Sequence, residues 1–366
     1  MSKIIRRILF VILSLTIALS VALPIFAQSE NQSGILCVSH GGDTAEYKSN
    51  SKDSVLSAFE KGADFVSVNI RKDNDGNFVL CRENEAEVSG VSLTEMISLL
   101  DEGDVLILDF SAELKDEIYS LIERENAFSS AILRINDSAK NIVRWLEDKN
   151  DDLQVIGVYD SFVVFTAMSH IKTMGEADMN IVSYQSKNYF NEMFGSLVTK
   201  TLKAENMPKA MISTYTPDLC GQRSDSEDGW NDLIKKGYSV IETNNLDAFM
   251  GYISANSNIR YELKKAYDKA LQIELDKYNT VSRENLLDAI DFAESLLSSD
   301  FASNDELQNC VSTIRLATEN LALKTGEDTQ KGALNITPGK IIAALLVGIA
   351  ILAAQIYTFK MQKKKK

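Results

Sequence analysis

Histidine is nearly absent from this chain: among 366 residues there are only His40 and His170. No histidine cluster is therefore available to build a metal centre, and any imidazole chemistry falls to one or both of these two side chains. Cysteine is scarce as well, at four residues, Cys37, Cys81, Cys220 and Cys310. No two lie at the close spacing of a zinc site, so a zinc-stapled fold is excluded. Cys37 and Cys81 are the one pair considered for a disulfide, and otherwise all four read as free thiols. Positive charge is also outweighed in the middle of the chain. Residues 1–27 and 340–366 carry nine Lys and Arg and no acids, so removing them from the formal −14 leaves −23 for residues 28–339. Such an acidic body argues against nucleic acid and anionic lipid headgroups as partners.

Long apolar runs occur only at the two ends. Lys3, Arg6 and Arg7 precede an apolar stretch from Ile8 to about Val21, and Pro24-Ile25-Phe26-Ala27 comes before the polar Gln28. That order reads as a secretory signal peptide over 1–27, cut after Ala27. Residues 341–359 form a second run, long enough to span a bilayer, with Lys360 and Lys363 to Lys366 behind it. Positive charge stays on the cytoplasmic side, so a transmembrane helix over 340–360 leaves a basic tail, 361–366, inside and the body outside. The expected location is the cell membrane, single-pass, with an extracellular body on a Gram-positive-like surface.

Between these ends, alternating apolar runs bounded by turn residues predict strands over 35–39, 64–70, 105–110, 131–135, 154–158, 180–184, 210–214 and 238–242. A further run over 77–82 follows Ile70, the end of the second strand, too closely for a parallel crossover, so it reads as the return arm of a hairpin. Helical patterns over 53–61, 93–100, 114–125, 139–148, 162–173, 189–204 and 228–236 separate most of the strands. Eight strands alternating with helices predict an α/β fold of the TIM type, a (β/α)8 barrel over 34–253. From about Asn256 the pattern is purely helical. Stripes at Leu263, Tyr267, Leu271, Leu275 and Tyr278, at Leu286, Ile290, Ala293 and Leu297, and at Leu307, Cys310, Ile314, Ala317 and Leu321 predict a three-helix bundle over 257–322. Ser303 and Glu306 have the spacing of a capping box for the last helix. Residues 323–339 read as a linker.

The motifs over the first third, His40-Gly41-Gly42, Asp53-Ser54-Val55 before Leu56 and Phe59, Gly62-Ala63-Asp64, Asp75-Gly76 and Ser92-Leu93-Thr94-Glu95, resemble the glycerophosphodiester phosphodiesterase family. The ending Gly237 to Asn244 and the strand Met211 to Tyr215 resemble that family's closing strands. The helical part is similar to the three-helix modules "found in various architectures" on Gram-positive surface proteins. The barrel resemblance implies a TIM barrel that cleaves phosphodiesters with two histidines and a metal held by carboxylates.

Matched residue by residue, this implication thins. His40 keeps the first catalytic position, while the second falls on Arg82, followed by Glu83. The metal positions fall on Ser67, Asn69 and Asp109, which carry a single negative charge, so metal binding is expected to be weak or absent. Calcium or magnesium would be the cofactor only if the site is still active. Arg82 stays protonated at any working pH and cannot shuttle protons. It either holds a phosphate beside His40 or pairs with Asp109 or Glu83. Gly41, Arg71, Glu83 and Tyr215 complete the candidate ligand-binding set. His170, late in the helix after the fifth strand, reads as an ordinary helix histidine remote from His40.

Three readings stay open. The first is a non-catalytic relative binding a phosphodiester or cell-envelope polymer, anchored by its C-terminal helix. The second is an active, metal-dependent phosphoric diester hydrolase with an altered site. The third is a structural surface spacer.

Overall fold

The computed structural model describes residues 33–82, 90–160, 164–176, 179–188, 192–204 and 207–324. The expected signal peptide, the transmembrane run and the basic tail lie outside them. Among the described residues no helix is long and apolar enough to cross a membrane.

Eight parallel strands close on themselves: β1 (Leu36–His40), β2 (Phe65–Lys72), β4 (Leu106–Asp109), β5 (Ala131–Ile135), β6 (Gln154–Asp160), β7 (Ile181–Gln185), β8 (Lys209–Ser213) and β9 (Tyr238–Thr243). Each pairs with the next in sequence, and β1 pairs with both β2 and β9, which seals the cylinder. The expected hairpin arm is β3 (Phe78–Leu80), antiparallel to β2 with Ile70 opposite Leu80. It stays outside the closed ring because the five residues 73–77 that join it to β2 are too few for a parallel crossover.

Helices α1 (Lys52–Glu60), α2 (Leu93–Ile97), α3 (Lys115–Glu125), α4 (Ala139–Leu146), α5 (Val164–Glu176), α6 (Ser196–Leu202) and α7 (Glu227–Lys235) fill the connections. Helix α1 starts where the sequence permits it: Ser51 and Ser54 bond reciprocally to each other's backbone N–H, satisfying two donors that a first turn leaves bare. Asp53 in that first turn favours the positive end of the helix dipole.

Strand alternation divides the side chains into two cores. Outward residues such as Cys37, Val66, Leu108, Leu133 and Ile212 pack with the helices in one continuous cluster. Cys37 therefore faces the helices as the alternation requires. All four cysteines are buried free thiols, so no Cys37–Cys81 bridge forms. Inward, every barrel strand contributes one residue to a separate apolar plug: Val38, Phe65, Ile107, Ile132, Ile156, Ile181, Met211 and Val240. The interior is filled, so chemistry is possible only above this layer, at the C-terminal ends of the strands.

After β9 only Asn244 and Asn245 intervene before α8 (Leu246–Leu271), a single helix of 26 residues. Its first half packs Leu246, Phe249, Tyr252 and Ile253 on the barrel's outer core. Its second half buries Leu263 and packs against α10 (Asn304–Glu319). The stripe expected over 263–278 is thus corrected: the helix stops at Leu271, which is exposed, and Leu275–Lys277 is a separate turn of 3-10 helix. In α9 (Thr280–Leu297) Leu286, Ile290 and Ala293 are buried, and in α10 Leu307, Cys310 and Ile314 are, as the periodicity requires. The capping box at Ser303 forms in part, with Glu306 accepting the Ser303 N–H at 3.1 Å.

The described residues from 33 to 273 and Leu286–Glu319 form one compact unit. Inside it, buried Arg260 of α8 donates to the carbonyl oxygens of Ser33, Leu296 and Ser299 and to the Asn256 side chain. A second, small unit contains, among the described residues, 274–285 and 320–324. There Asn279 and Lys324 bond to Ala322 and Lys277 across an antiparallel bridge of Tyr278 with Leu323.

The turn after β1 requires glycine. Gly42 has φ +86°, and a Cβ there would lie 2.4 Å from the Ser54 carbonyl. Gly42→Ala is expected to cost on the order of 1–3 kcal/mol, measured by denaturant unfolding. A change within error would show that the turn has a relaxed alternative.

Candidate functional site

Two residues beyond the apolar plug, period-two alternation sends a second ring of side chains inward: His40, Ser67, Asp109, Arg134, Val158, Ser183, Ser213 and Glu242. Seven of the eight are polar, so the barrel changes from hydrocarbon to hydrogen-bonding chemistry within one step along its strands.

The centre of this ring is Glu242, at the end of β9 and fully buried. Its Oε1 accepts from the Ser67 hydroxyl at 2.5 Å and from Arg134, through Nη1 at 3.2 Å and Nη2 at 3.1 Å. The same oxygen lies 3.2 Å from Nδ1 of His40. Its Oε2 accepts from the Ser213 hydroxyl. Arg134 reaches in from β5 with only 4% of its side chain exposed and also donates through Nη1 to Oδ2 of Asp109 at 2.9 Å. Its Nη2 contacts the sulfur of Met211 at 3.6 Å.

These neighbours set the charge states. Burial resists ionisation of Glu242, but the Arg134 guanidinium, His40 and the Ser213 hydroxyl outweigh it and hold the carboxyl well below the usual carboxylate range. For Asp109 the balance is reversed. Burial is the larger influence and, with the nearby Glu242 charge, lifts it from 3.8 to about 6 despite Arg134. Arg134, though disfavoured by burial, is held above its ordinary value by Asp109 and Glu242.

His40 ends β1 at the mouth of the barrel, with 19% of its side chain exposed. Its Nδ1 edge faces Glu242 and the Ser67 hydroxyl, the latter at 3.3 Å, so Nε2 occupies the opposite edge of the ring. A buried carboxylate on one imidazole nitrogen fixes the tautomer and orients the other. Tyr215, just past β8, lies flat on the imidazole, with centroids 3.7 Å apart and planes 11° apart. The backbone of Gly41 continues the turn, donating to the Ser67 carbonyl at 2.8 Å.

His40, Ser67, Asp109, Gly41 and Tyr215 are thus brought together. Asn69 is opposite Asp109 in the β2–β4 register and is tied through its backbone N–H to Oδ1 of Asn50 at 2.7 Å. Arg71 lies two residues further along β2, half-buried. Arg82 is exposed beyond β3, and Glu83 lies outside the described residues. The expected pairing of Arg82 with Asp109 is corrected: the partner of Asp109 is Arg134, because β5 lies directly beside β4 with Arg134 in register with Asp109. His170 is buried in α5, and burial lowers its pKa to about 4. Its ring lies 4.8 Å from that of Tyr159, and Nε2 has no partner among the described residues.

Arg134 and Glu242 were missed as site residues, yet their positions carried a signal. Each is the one charged residue in its strand, Ala131-Ile132-Leu133-Arg134-Ile135 and Tyr238-Ser239-Val240-Ile241-Glu242, near the C-terminal end of a barrel strand.

A divalent cation, implied by the family resemblance, does not fit these side chains. The positions expected to hold it were Asp109, Asn69 and Ser67. Asp109 accepts from a guanidinium, and the Ser67 hydroxyl is donated to Glu242. A metal here would meet a fixed positive charge already holding both acids. Among the described residues no group of three or more His, Cys, Asp or Glu is arranged to hold a metal ion.

No family model matches the chain, and no curated protein sequence matches it. Solved structures do resemble it. A glycerophosphodiester phosphodiesterase from Thermotoga maritima is 13% identical, with 59% of this chain and 97% of that one covered and a TM-score of 0.46. A glycerophosphoryl diester phosphodiesterase from Parabacteroides distasonis is 15% identical over 61% of this chain and 86% of that one, at 0.45. A phosphodiesterase from Oleispira antarctica, solved with the product sn-glycerol-3-phosphate, is 10% identical over 61% and 96%, at 0.44. These are likenesses of fold.

Two outcomes follow from the ring. Arg134→Met leaves the buried Glu242 and the partly exposed Asp109 without their guanidinium and is expected to cost about 3–5 kcal/mol in denaturant unfolding. Asp109 behaves differently. Between pH 3.8 and about 6 the folded chain retains a proton that the unfolded chain has released, so stability falls as pH rises through this window. Asp109→Asn removes that fall. Relative to the parent, the variant's stability is expected to improve by about 2–3 kcal/mol from pH 4 to pH 7. A stability difference independent of pH would mean that Asp109 titrates normally.

Proposed function

We propose that the chain is a membrane-anchored, extracellular barrel of the glycerophosphodiester phosphodiesterase type, catalytically impaired, that binds a phosphate-containing or surface-polymer ligand at its mouth. The observation that carries this reading is the Arg134 guanidinium held by Glu242 and Asp109 at the centre of the ring. A metal-dependent phosphodiesterase needs a cation with open positions to polarise phosphate and stabilise the charge that develops on it. A guanidinium fixed by two carboxylates neutralises charge but offers no such position. General acid–base assistance contributes typically about 10²–10⁴-fold per group. The second such group is replaced by Arg82, which cannot exchange a proton at working pH.

Ligand contacts in this reading come from His40, with Tyr215 stacked on it, from Gly41 and Asn69, and from the cations Arg71 and Arg82. Arg134 contributes little attraction to an anion, because its charge is balanced within the ring. The anchoring rests on the apolar run 341–359 with its trailing lysines, and secretion rests on residues 1–27. The helices after the barrel are read as a surface module of the kind found in various architectures.

One observation favours the second reading, an altered but active hydrolase. His40 has its Nδ1 edge on a buried carboxylate, the arrangement that prepares the other nitrogen to take a proton.

The full-length chain incubated with glycerophosphodiesters in millimolar calcium or magnesium is expected to release no glycerol phosphate above a His40→Ala control. Glycerol phosphates are expected to raise its melting temperature, and Arg82→Ala is expected to weaken that rise. Turnover abolished by both EDTA and His40→Ala would establish the hydrolase. Absence of any thermal response to glycerol phosphates and envelope polymers would leave the barrel as a spacer.

A further inference from the structure

His170 lies on α5, where that helix rests against the outer side of β6. Three described side chains seat it there. Ile171 and Met174 are buried in the outer core, and Met174 reaches over Gly157, where a Cβ would come within 2.4 Å of its Cε. His170 completes the seat: it is 7% exposed, and its ring lies 4.8 Å from that of Tyr159 on β6, tilted by 55°. Its Nε2 is buried with no partner among the described residues. A neutral imidazole in that position leaves one nitrogen bare. An imidazolium would bury a full charge and leave an N–H donor that nothing receives, which is far more costly.

Among the described residues no acid lies at the ring to meet such a charge. Helix α5 packs against α4, α6, β6 and the 3-10 turn Glu192–Phe194. Helices α4 and α6 contain no acid, and their cations, Lys140, Arg144 and Lys200, are exposed, as is Lys172 of α5 itself. The acids of the remaining elements, Asp160, Glu176 and Glu192, each stand at the end of their element. On the strand side the titratable groups are Tyr159 and, 6.0 Å beyond it, Tyr184. The face of a tyrosine ring attracts a cation weakly and does not replace a carboxylate.

We propose that His170 is an acid-sensitive latch: a neutral ring keeps α5 seated on β6, and its protonation releases α5 while the strands beneath remain joined. The latch lies outside the barrel's inner ring, and it holds whether or not the mouth binds a ligand.

The direction follows from the two states of the ring. Burial lowers the His170 pKa from 6.5 to about 4 while α5 is seated. Once α5 is released the ring meets water and regains its ordinary value. Between these limits the released form holds a proton that the seated form lacks, so release gains population as pH falls. Release is favoured about 30-fold more at pH 5 than at pH 7.5 by this linkage. It stops at the helix because β6 keeps its backbone pairing with β5 and β7. Whole-chain unfolding responds in the opposite sense through Asp109 and Asp64, both lifted by burial from 3.8 to about 6. A measurement local to α5 separates the two.

The test is amide hydrogen exchange of the full-length chain at about pH 5 and about pH 7.5, corrected for the intrinsic pH dependence of exchange and read in peptides over 164–176. The parent is expected to lose about 30-fold protection in α5 at the lower pH, while α1 and α3 keep theirs. His170→Phe retains a ring against Tyr159 that cannot take a proton, and its α5 is expected to be protected equally at both pH values. His170→Asn, polar but uncharged throughout, is expected to show the same pH independence even where poorer packing lowers protection at both. Parent protection in α5 that does not change between the two pH values overturns the latch. So does an acid loss of the parent's size in either variant, or a loss in the parent that α1 and α3 share in full.

Discussion

The contact between Glu242 and Arg134 sets the terms for everything above the barrel's apolar plug. A carboxylate with no solvent exposure survives only with a counter-charge and hydrogen bonds. Glu242 has both: a guanidinium on one oxygen and hydroxyls from β2 and β8 on its two oxygens. Those bonds in turn fix where the His40 ring lies, since its Nδ1 edge rests on the same oxygen. Four walls of the cylinder, β1, β2, β5 and β8, are thereby joined through one side chain of a fifth, β9. The apolar plug alone would hold the cylinder closed, but it would not specify which way any of these polar groups faces.

The pair also determines the electrostatic character of the mouth. Arg134 is balanced before any ligand arrives, and Asp109 sits at the margin of ionisation because burial and Glu242 oppose its charge. As pH rises through about 6, Asp109 passes from neutral to charged and adds one negative charge to the ring. Cationic contacts for an anion must therefore come from outside the ring. Arg71 and Arg82, on and beyond the β2–β3 hairpin, are placed in that outer zone.

Much of this architecture was legible in the chain. The eight strands follow from apolar alternation broken by turn residues, and the hairpin follows from a connection too short to cross the sheet. Cys37 facing the helices and His40 facing inward follow from the same period of two. The chemistry was less legible for a physical reason. The ring is assembled by closure: Arg134 and Glu242 are 108 residues apart on different walls, and no local pattern states that β5 and β9 will face each other across a plug. The family motif points instead to Arg82, which stands at the altered histidine position itself. The inward placement of Arg134 could be read from Ile132 two residues before it, but its partners could not. The helical stripe over 263–278 failed differently, because spacing alone does not reveal that Leu271 lacks anything to pack against.

The unbroken course of α8 has an effect on how the molecule comes apart. It leaves β9 after two residues, covers the barrel with its first half and carries Arg260, whose clasp holds Ser33 from one end of the chain and Leu296 and Ser299 from the other. No slack peptide separates the cylinder from the helices that follow, so no seam is available at which a protease or a mechanical load could divide them. A truncation after residue 253 would remove that clasp and leave only 8 of the helix's 26 residues. The barrel and α10 accordingly belong to one compact unit, and a cut at the end of the barrel motif would fall inside a helix that is continuous with both.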